Sequence, residues 1–153
     1  MSDIDYMPGI KRSSARSKGR SGEMEIIARL SNILLLEYNA RKWPVPEDGL
    51  LHRGPHGKDI RGLTWLAPEI KRHEIITEYL INQWWKQCKD QAEPNAEPVL
   101  FYRNNHHPWA VRMLGRLKLS NGGAIRCPVD ITFPNFLLWF TNEVHIRCDN
   151  LGR

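Results

Sequence analysis

The chain has 153 residues, of which 41% are hydrophobic and 25% charged, and its formal net charge is +5. No apolar run reaches the roughly 20 residues that cross a bilayer and no secretory signal opens the chain, so we expect a soluble, cytoplasmic protein. Three widely spaced cysteines without a C-x-x-C pair suggest neither a disulfide framework nor a zinc site, whereas the positive charge favours a polyanionic partner.

The first 21 residues predict a flexible basic leader, because almost nothing apolar follows Ile10 and such a segment cannot bury enough surface to become ordered. It could lie along a phosphate backbone or be only a solvated leader, and both interpretations stay open. A single domain is predicted over residues 22–153, with its core over 22–116 and a carboxyl-terminal strand and helix extension over 117–153. The basic residues of the leader are Lys11, Arg12, Arg16, Lys18 and Arg20.

A helix is predicted from about Ser21, a plausible N-cap, to Glu37. One turn before the first residue of its apolar stripe stands Glu23, so the helical phase makes Glu23 the inward acid and leaves Glu25 on a more polar side. Alternatively, either acid could do no more than interact with the positive end of the helix dipole. The apolar stripe is formed by Ile27, Leu30 and Leu34.

Residues 50–60 predict a strand, a turn at Gly54-Pro55, and a second strand that carries Asp59. Arg61-Gly62 then supplies the turn into the next strand. Basic side chains near Asp59 are candidates for binding the phosphates beside a cleaved bond. These candidates are His52, Arg53, His56 and Lys58; for the two histidines a metal role is not expected, because a lone loop histidine is most often a surface group.

Glu69-Ile70-Lys71 reads as strand, and because side chains alternate along a strand, Glu69 and Lys71 should share one face. The preceding hairpin could bring Asp59 beside Glu69, so that two acids and a lysine converge. Pro68 lacks the N–H that a central strand donates, so the strand either begins at Glu69 or has a bulge or an edge just before it.

Two carboxylates close together suit magnesium, which prefers oxygen ligands and keeps several waters. Such an ion can generate hydroxide and neutralise charge on a phosphate, and a neighbouring lysine can hold the attacking water. Phosphodiester hydrolysis is the reaction that needs this combination.

Asp59 followed by Glu69-Ile70-Lys71 resembles the PD-(D/E)xK nuclease signature. Lys18-Gly19-Arg20-Ser21-Gly22-Glu23 is similar to the start of the archaeal and phage Holliday junction resolvases of that superfamily. The resemblance extends over about residues 18–113. It implies a restriction-endonuclease-like α/β fold, with a mixed sheet of about four or five strands flanked by helices.

The resemblance also implies a Mg²⁺- or Mn²⁺-dependent endodeoxyribonuclease that acts on branched or junction DNA, within a host cell if the chain is phage-encoded. Asp59, Glu69 and the Ile70 backbone carbonyl would bind the metal. Glu23 would bind a second ion or a metal-held water, and Lys71 would orient and help deprotonate that water. Since a four-way junction has two symmetric strands to cut, a homodimer is expected.

A second helix is predicted from about residue 74 to residue 92, with Trp84 and Trp85 as core residues rather than base-stacking platforms. The resemblance implies a glutamine on this helix as a ligand of the site or the substrate. Gln87 is the first candidate and Gln83 the second, and an exposed amide is the alternative for both.

Residues 97–103 read as a buried strand and residues 109–113 as a last hairpin strand. Arg103 and Arg112, like Arg72, are candidate phosphate contacts, although exposed arginines often only solvate a sheet edge. A short apolar helix is predicted from Pro134 to about Glu143. Its aromatic residues exceed what one small sheet face needs, so some are candidates for a subunit contact. They are Phe136, Trp139 and Phe140, with Leu137 beside them.

A second interpretation of the whole chain is a non-catalytic nucleic-acid-binding or assembly protein on a nuclease-like scaffold. Asp59–Lys71 and Glu69–Arg72 would then be salt bridges only. The number of acids separates the two interpretations, because three converging carboxylates carry more negative charge than one lysine balances.

Overall fold

The computed structural model describes residues 15–54 and 60–151, and the side chains of residues 20–54 and 60–151. Its architecture is α/β, as predicted, with a four-stranded mixed sheet in the order β3-β4-β5-β6 and a separate two-stranded pair, β1-β2. The helices are α1 (Ala15–Arg41), α2 (Glu78–Gln91) and α3 (Phe133–Leu151). The strands are β1 (His52–Arg53), β2 (Ile60–Arg61), β3 (Leu66–His73), β4 (Glu97–Asn104), β5 (Ala110–Lys118) and β6 (Ala124–Thr132).

Strand β3 forms one edge of the sheet and runs parallel to β4, to which α2 connects it. Pro68 lies inside β3, in register with Val99, so the edge alternative predicted for this proline is the correct one. The missing N–H is tolerated there because an edge strand has a neighbour on only one side. The remaining pairs, β4-β5 and β5-β6, are antiparallel.

Helix α1 begins at Ala15 and ends at Arg41, so the predicted N-cap at Ser21 and the predicted end at Glu37 are wrong. Residues 15–21, assigned to the leader, form the first turns of this helix. Gly22 lowers intrinsic helix propensity, but the helix packs so closely here that a Cβ on Gly22 would lie 3.2 Å from Trp109 Cη2. Tertiary packing therefore overrides local propensity.

The larger part of the core lies between the sheet and helices α1 and α3. The predicted stripe on α1 is buried, which confirms the phase of that helix. On the opposite face, α2 packs against Leu100 through Trp84 and Trp85, which confirms both tryptophans as core residues. Thr77 caps α2, since its Oγ1 accepts a hydrogen bond from the Leu80 N–H at 3.2 Å.

The carboxyl-terminal part of the chain differs most from expectation. Residues 109–113 are not the last hairpin strand, because β5 continues to Lys118 and β6 pairs with it from end to end. Helix α3 is longer than the predicted segment of residues 134–143. Phe136 and Phe140 are fully buried within the chain itself, with the Phe136 ring edge-on to Phe101 at 4.9 Å, so neither is available for a subunit contact.

Within residues 15–54 and 60–151, no helix combines the length and the apolar character required to span a membrane.

Candidate functional site

Glu69 and Lys71 lie side by side on the edge strand β3, with Lys71 Nζ 2.8 Å from Glu69 Oε1. Glu69 stands in register with Leu100, whose side chain packs on α2, so the pair faces the α2 side of the sheet. The Glu69 side chain is 7% exposed and that of Lys71 23%. The structure therefore confirms that the two residues share a face and shows that the carboxylate is the more deeply buried partner.

The pair adjoins a cavity of about 500 Å³ between β2, the first half of β3 and the end of α2. Ligand sites commonly have volumes of about 300–1,000 Å³, so this cavity could receive part of a substrate. Glu69 contributes its acidic wall, and Arg61 and Gln91 contribute further polar groups. The apolar lining includes Ile60, Leu63, Leu66, Ala67 and Cys88.

Asp59 lies outside the described residues, as do His56 and Lys58. In the chain it directly precedes Ile60, the first residue of β2, and β2 contacts β3. The turn between these two strands contains Gly62, with φ of 121°, where a Cβ would collide with the Leu50 carbonyl oxygen. The predicted turn therefore exists, and only glycine fits it.

Glu23 lies on the other side of β3. Gly22 packs against Ile70, and Ser21 Oγ accepts a hydrogen bond from Arg72 Nη1 at 3.3 Å, so α1 covers the face of β3 that alternates with Glu69. The Glu23 side chain is 17% exposed and that of Glu25 44%, which confirms Glu23 as the inward acid.

The partner of Glu23 is Arg53 of β1, whose Nε donates to Glu23 Oε2 at 2.5 Å. Each of the two described acids thus has a basic partner, Arg53 for Glu23 and Lys71 for Glu69. Among residues 20–54 and 60–151, no three His, Cys, Asp or Glu side chains group closely enough to hold a metal ion. The proposed ligand set therefore depends on Asp59.

No protein-family model, curated protein or solved structure matches this chain. What the site can do has to be inferred from its own residues.

The basic residues predicted to contact phosphates differ in what they bind in the structure. Arg103 binds Glu25 at 3.0 Å and lies over the Trp109 ring at 4.7 Å, and Arg72 donates to Asn105 and Ser21. Arg20 is exposed. Lys11, Arg12 and the side chains of Arg16 and Lys18 lie outside the described part of the chain.

Arg112 is not a surface phosphate contact, and that prediction is wrong. It is 7% exposed and donates to both carboxylate oxygens of Asp130 at 2.8 Å and to Asn82 Oδ1 at 2.8 Å. The hydrogen bond from Arg112 lowers the pKa of Asp130 below its ordinary value. Burial and the nearby Asp130 raise the pKa of Tyr102 to about 12. Arg112 is thus the centre of a structural network.

The glutamine of α2 that lines the cavity lies one turn further along the helix than the two predicted candidates. Gln83 and Gln87 are exposed, and Gln83 Nε2 donates to the Tyr79 hydroxyl at 2.7 Å. Gln91, one turn beyond Gln87, lines the same cavity as Glu69. Continuing the i, i+4 spacing of Gln83 and Gln87 by one turn leads to Gln91. The sequence alone, however, did not show where along α2 the cavity would lie.

Proposed function

We propose that this protein is a metal-dependent DNA endonuclease that hydrolyses phosphodiester bonds, acting by preference on branched DNA such as a four-way junction. The observation that carries the proposal is the buried Glu69–Lys71 pair, 2.8 Å apart, beside a cavity of about 500 Å³ on a sheet edge. A buried ion pair contributes little net stability, since desolvation offsets its attraction. A cavity beside such a pair favours a role in chemistry.

The donor atoms fit a hard divalent cation. Asp59, Glu69 and the Ile70 carbonyl supply oxygen ligands of the kind that Mg²⁺ and Mn²⁺ prefer. When bound, such an ion would polarise a water and balance negative charge on the phosphate.

Lys71 would act on the attacking water. Its ammonium group is a donor only, so it can fix the position of a water oxygen and stabilise negative charge that develops there. In the described structure that ammonium bonds Glu69 instead. With Glu69 engaged by a bound cation, Lys71 would be available to hold a water for in-line attack on phosphorus. The new P–O bond would form as the P–O3′ bond breaks, the water would lose its proton to solvent, and the 3′-oxygen would leave as a hydroxyl.

Glu23 would have to reach the site across the edge of β3, because it lies on the face opposite Glu69 and is held by Arg53. Arg53 now neutralises it, and the Arg53 side chain is 43% exposed. A released Arg53 could then bind a phosphate beside the cleaved bond. Two copies of the chain, related by two-fold symmetry, would present two such sites to the two strands of a junction.

The pairing of the described acids supports a second candidate, a non-catalytic nucleic-acid-binding or assembly protein. Glu23 and Glu69 are each balanced by one base, which leaves no excess negative charge between them. The ion pair that this interpretation expected between Glu69 and Arg72 is not the one recorded, since Glu69 bonds Lys71 while Arg72 donates to Asn105 and Ser21.

Incubation with labelled junction, flapped, duplex and single-stranded DNA, in Mg²⁺, Mn²⁺ or chelator, tests the proposal. We expect metal-dependent cleavage that Asp59→Ala, Glu69→Gln and Lys71→Ala abolish. Asp90→Asn and Lys86→Ala, which change exposed residues of α2, are the matched controls and should cleave normally. Binding without cleavage in either metal would establish the second candidate instead.

A further inference from the structure

The hairpin of β5 and β6 extends beyond the rest of the sheet. Strand β4 pairs with β5 only from Leu100–Arg112 to Tyr102–Ala110, whereas β5 and β6 stay paired as far as Lys118–Ala124. Residues 116–126, here named the ribbon, are exposed throughout. At about 3.3 Å per residue, the paired part of the ribbon extends about 10 Å past the half-buried Gly115–Cys127 pair.

The tip of the ribbon is held in one conformation. The Leu119 N–H donates to the Gly123 carbonyl at 2.7 Å, and the Gly122 N–H donates back to the Leu119 carbonyl at 3.1 Å. Asn121 Oδ1 accepts from the Gly123 N–H at 2.9 Å. Gly122 has φ of 88°, which favours glycine. A ribbon ordered before it meets a ligand loses little entropy on binding.

The two faces of the ribbon differ. Arg116 stands directly opposite Arg126, and alternation places Lys118 on the same face, while Leu117 and Ile125 pair on the other. Like charges directly opposite each other destabilise a strand pair. Glu97 binds Arg126 at 3.0 Å, but among the described residues no carboxylate is recorded in an ion pair with Arg116 or Lys118. This arrangement weakens the isolated hairpin and suits a polyanion.

Strand alternation places Arg116 and Lys118 on the same side of β5 as Arg112. Arg112, which shares its face of β5 with Arg116, reaches Asn82 of α2, and the Glu69–Lys71 pair also faces α2. Arg126 differs, because its partner Glu97 stands in register with Leu66, a core residue of the opposite face, and Arg116 and Arg126 border one pocket with Trp139 and Glu143 of α3. A polyanion could therefore bind the ribbon without entering the cavity beside Glu69.

We propose that the ribbon binds the sugar–phosphate backbone of DNA through Arg116, Lys118 and Arg126. The choice of DNA rests on the proposed function, whereas the charge and shape of the ribbon do not. A two-stranded β-ribbon fits the major groove of DNA, and arginine and lysine are the residues that contact its phosphates.

Fluorescence anisotropy of the full chain with a labelled four-way junction and a labelled duplex, in chelator and over a range of salt concentrations, tests this surface. We expect Arg116→Gln/Lys118→Gln to weaken binding to both DNAs at least tenfold and to reduce the salt slope by about 2. The control is Lys86→Gln/Lys89→Gln, which removes the same charge from α2. Equal losses in the two variants, no loss in the ribbon variant, or no binding by the unmodified chain would overturn the proposal.

The chelator separates this result from catalysis. If the ribbon residues are needed for binding but no metal supports cleavage, the ribbon proposal is supported and the endonuclease proposal is refuted. If the chain cleaves DNA with metal but the ribbon variant binds with undiminished affinity, the endonuclease proposal is supported and the ribbon proposal is refuted. Circular dichroism melting of both variants checks the fold, which exposed substitutions should leave intact.

Discussion

Two cation–carboxylate pairs lie on the α2 side of the same sheet, and they differ in how completely their partners satisfy them. Arg112 lies on a central strand and donates to Asp130, Asn82 and Glu78. Among the described residues, Glu69 has one recorded partner, Lys71, on an edge strand beside a cavity. In the first pair the guanidinium is bonded to three side chains although Asp130 is 47% exposed, whereas in the second the carboxylate is 7% exposed, has one partner among the described residues and borders a cavity.

This difference separates a structural pair from a candidate catalytic pair. A buried polar network stabilises a fold when every member is bonded. An incompletely surrounded carboxylate costs stability unless something else binds there, and such groups are typical of functional sites. The same chemistry, a carboxylate beside a base, therefore has opposite meanings at the edge and in the centre of this sheet.

The largest expected effect is a contrast between two matched carboxylate-to-amide substitutions, one of which should mainly reduce activity and the other mainly reduce stability. Glu69→Gln should reduce cleavage by about 10²–10³-fold, because the amide cannot supply negative charge to a cation, while stability changes by less than about 1 kcal/mol. Asp130→Asn should cost about 2–3 kcal/mol of unfolding free energy, since it removes the carboxylate that Arg112 contacts most closely and leaves, among the described residues, only the exposed Glu78 as a counter-charge, yet retain cleavage. Metal-dependent cleavage and urea unfolding of both variants measure the two effects. The distinction between the pairs would be lost if both variants lost activity and stability together.

Local patterns predicted the parts of the fold that local residues determine. The stripe through Leu30 and Leu34 gave the phase of α1 and hence the inward position of Glu23, and alternation gave the shared face of Glu69 and Lys71. These predictions need only the periodicity of one element.

Contacts between distant segments were not predictable in this way. Arg112 looked like an exposed arginine because its partner, Asp130, stands on a strand whose pairing the local sequence did not reveal. Arg53 was expected to bind phosphate, but it meets Glu23 across 30 residues. Gln91 joins the cavity only because of where α2 ends. In each case the geometry comes from tertiary packing.

A smaller effect is expected at the turn that joins β2 to β3. Gly62→Ala should destabilise the protein by about 2 kcal/mol, because the new Cβ would collide with the Leu50 carbonyl oxygen at a positive φ. It should also reduce cleavage, since β2 carries the chain from Asp59 toward Glu69. Gly49→Ala is the control: φ is 89° there but nothing lies within 4 Å, so only about 1 kcal/mol should be lost. Chemical unfolding and cleavage assays compare them, and equal effects would show that the turn does not position the site.

The smallest effect tests how firmly the Arg112 network is closed, through the titration of Tyr102. Its pKa is raised to about 12, first by burial and then by the charge of Asp130. In the unfolded chain a tyrosine ionises near pH 10, so the stabilisation is complete below about pH 10 and is lost as the pH rises toward 12.

Ultraviolet absorbance of the phenolate should therefore show one tyrosine ionising after the others, while circular dichroism still reports a folded chain. Tyr102→Phe should remove that late step and cost about 0.5–1.5 kcal/mol, the typical worth of one hydrogen bond. A single titration step near pH 10 in the folded protein would mean that solvent reaches Tyr102 and Asp130 freely. The network around Arg112 would then not be closed, and its hydrogen bonds could no longer distinguish a structural site from a catalytic one.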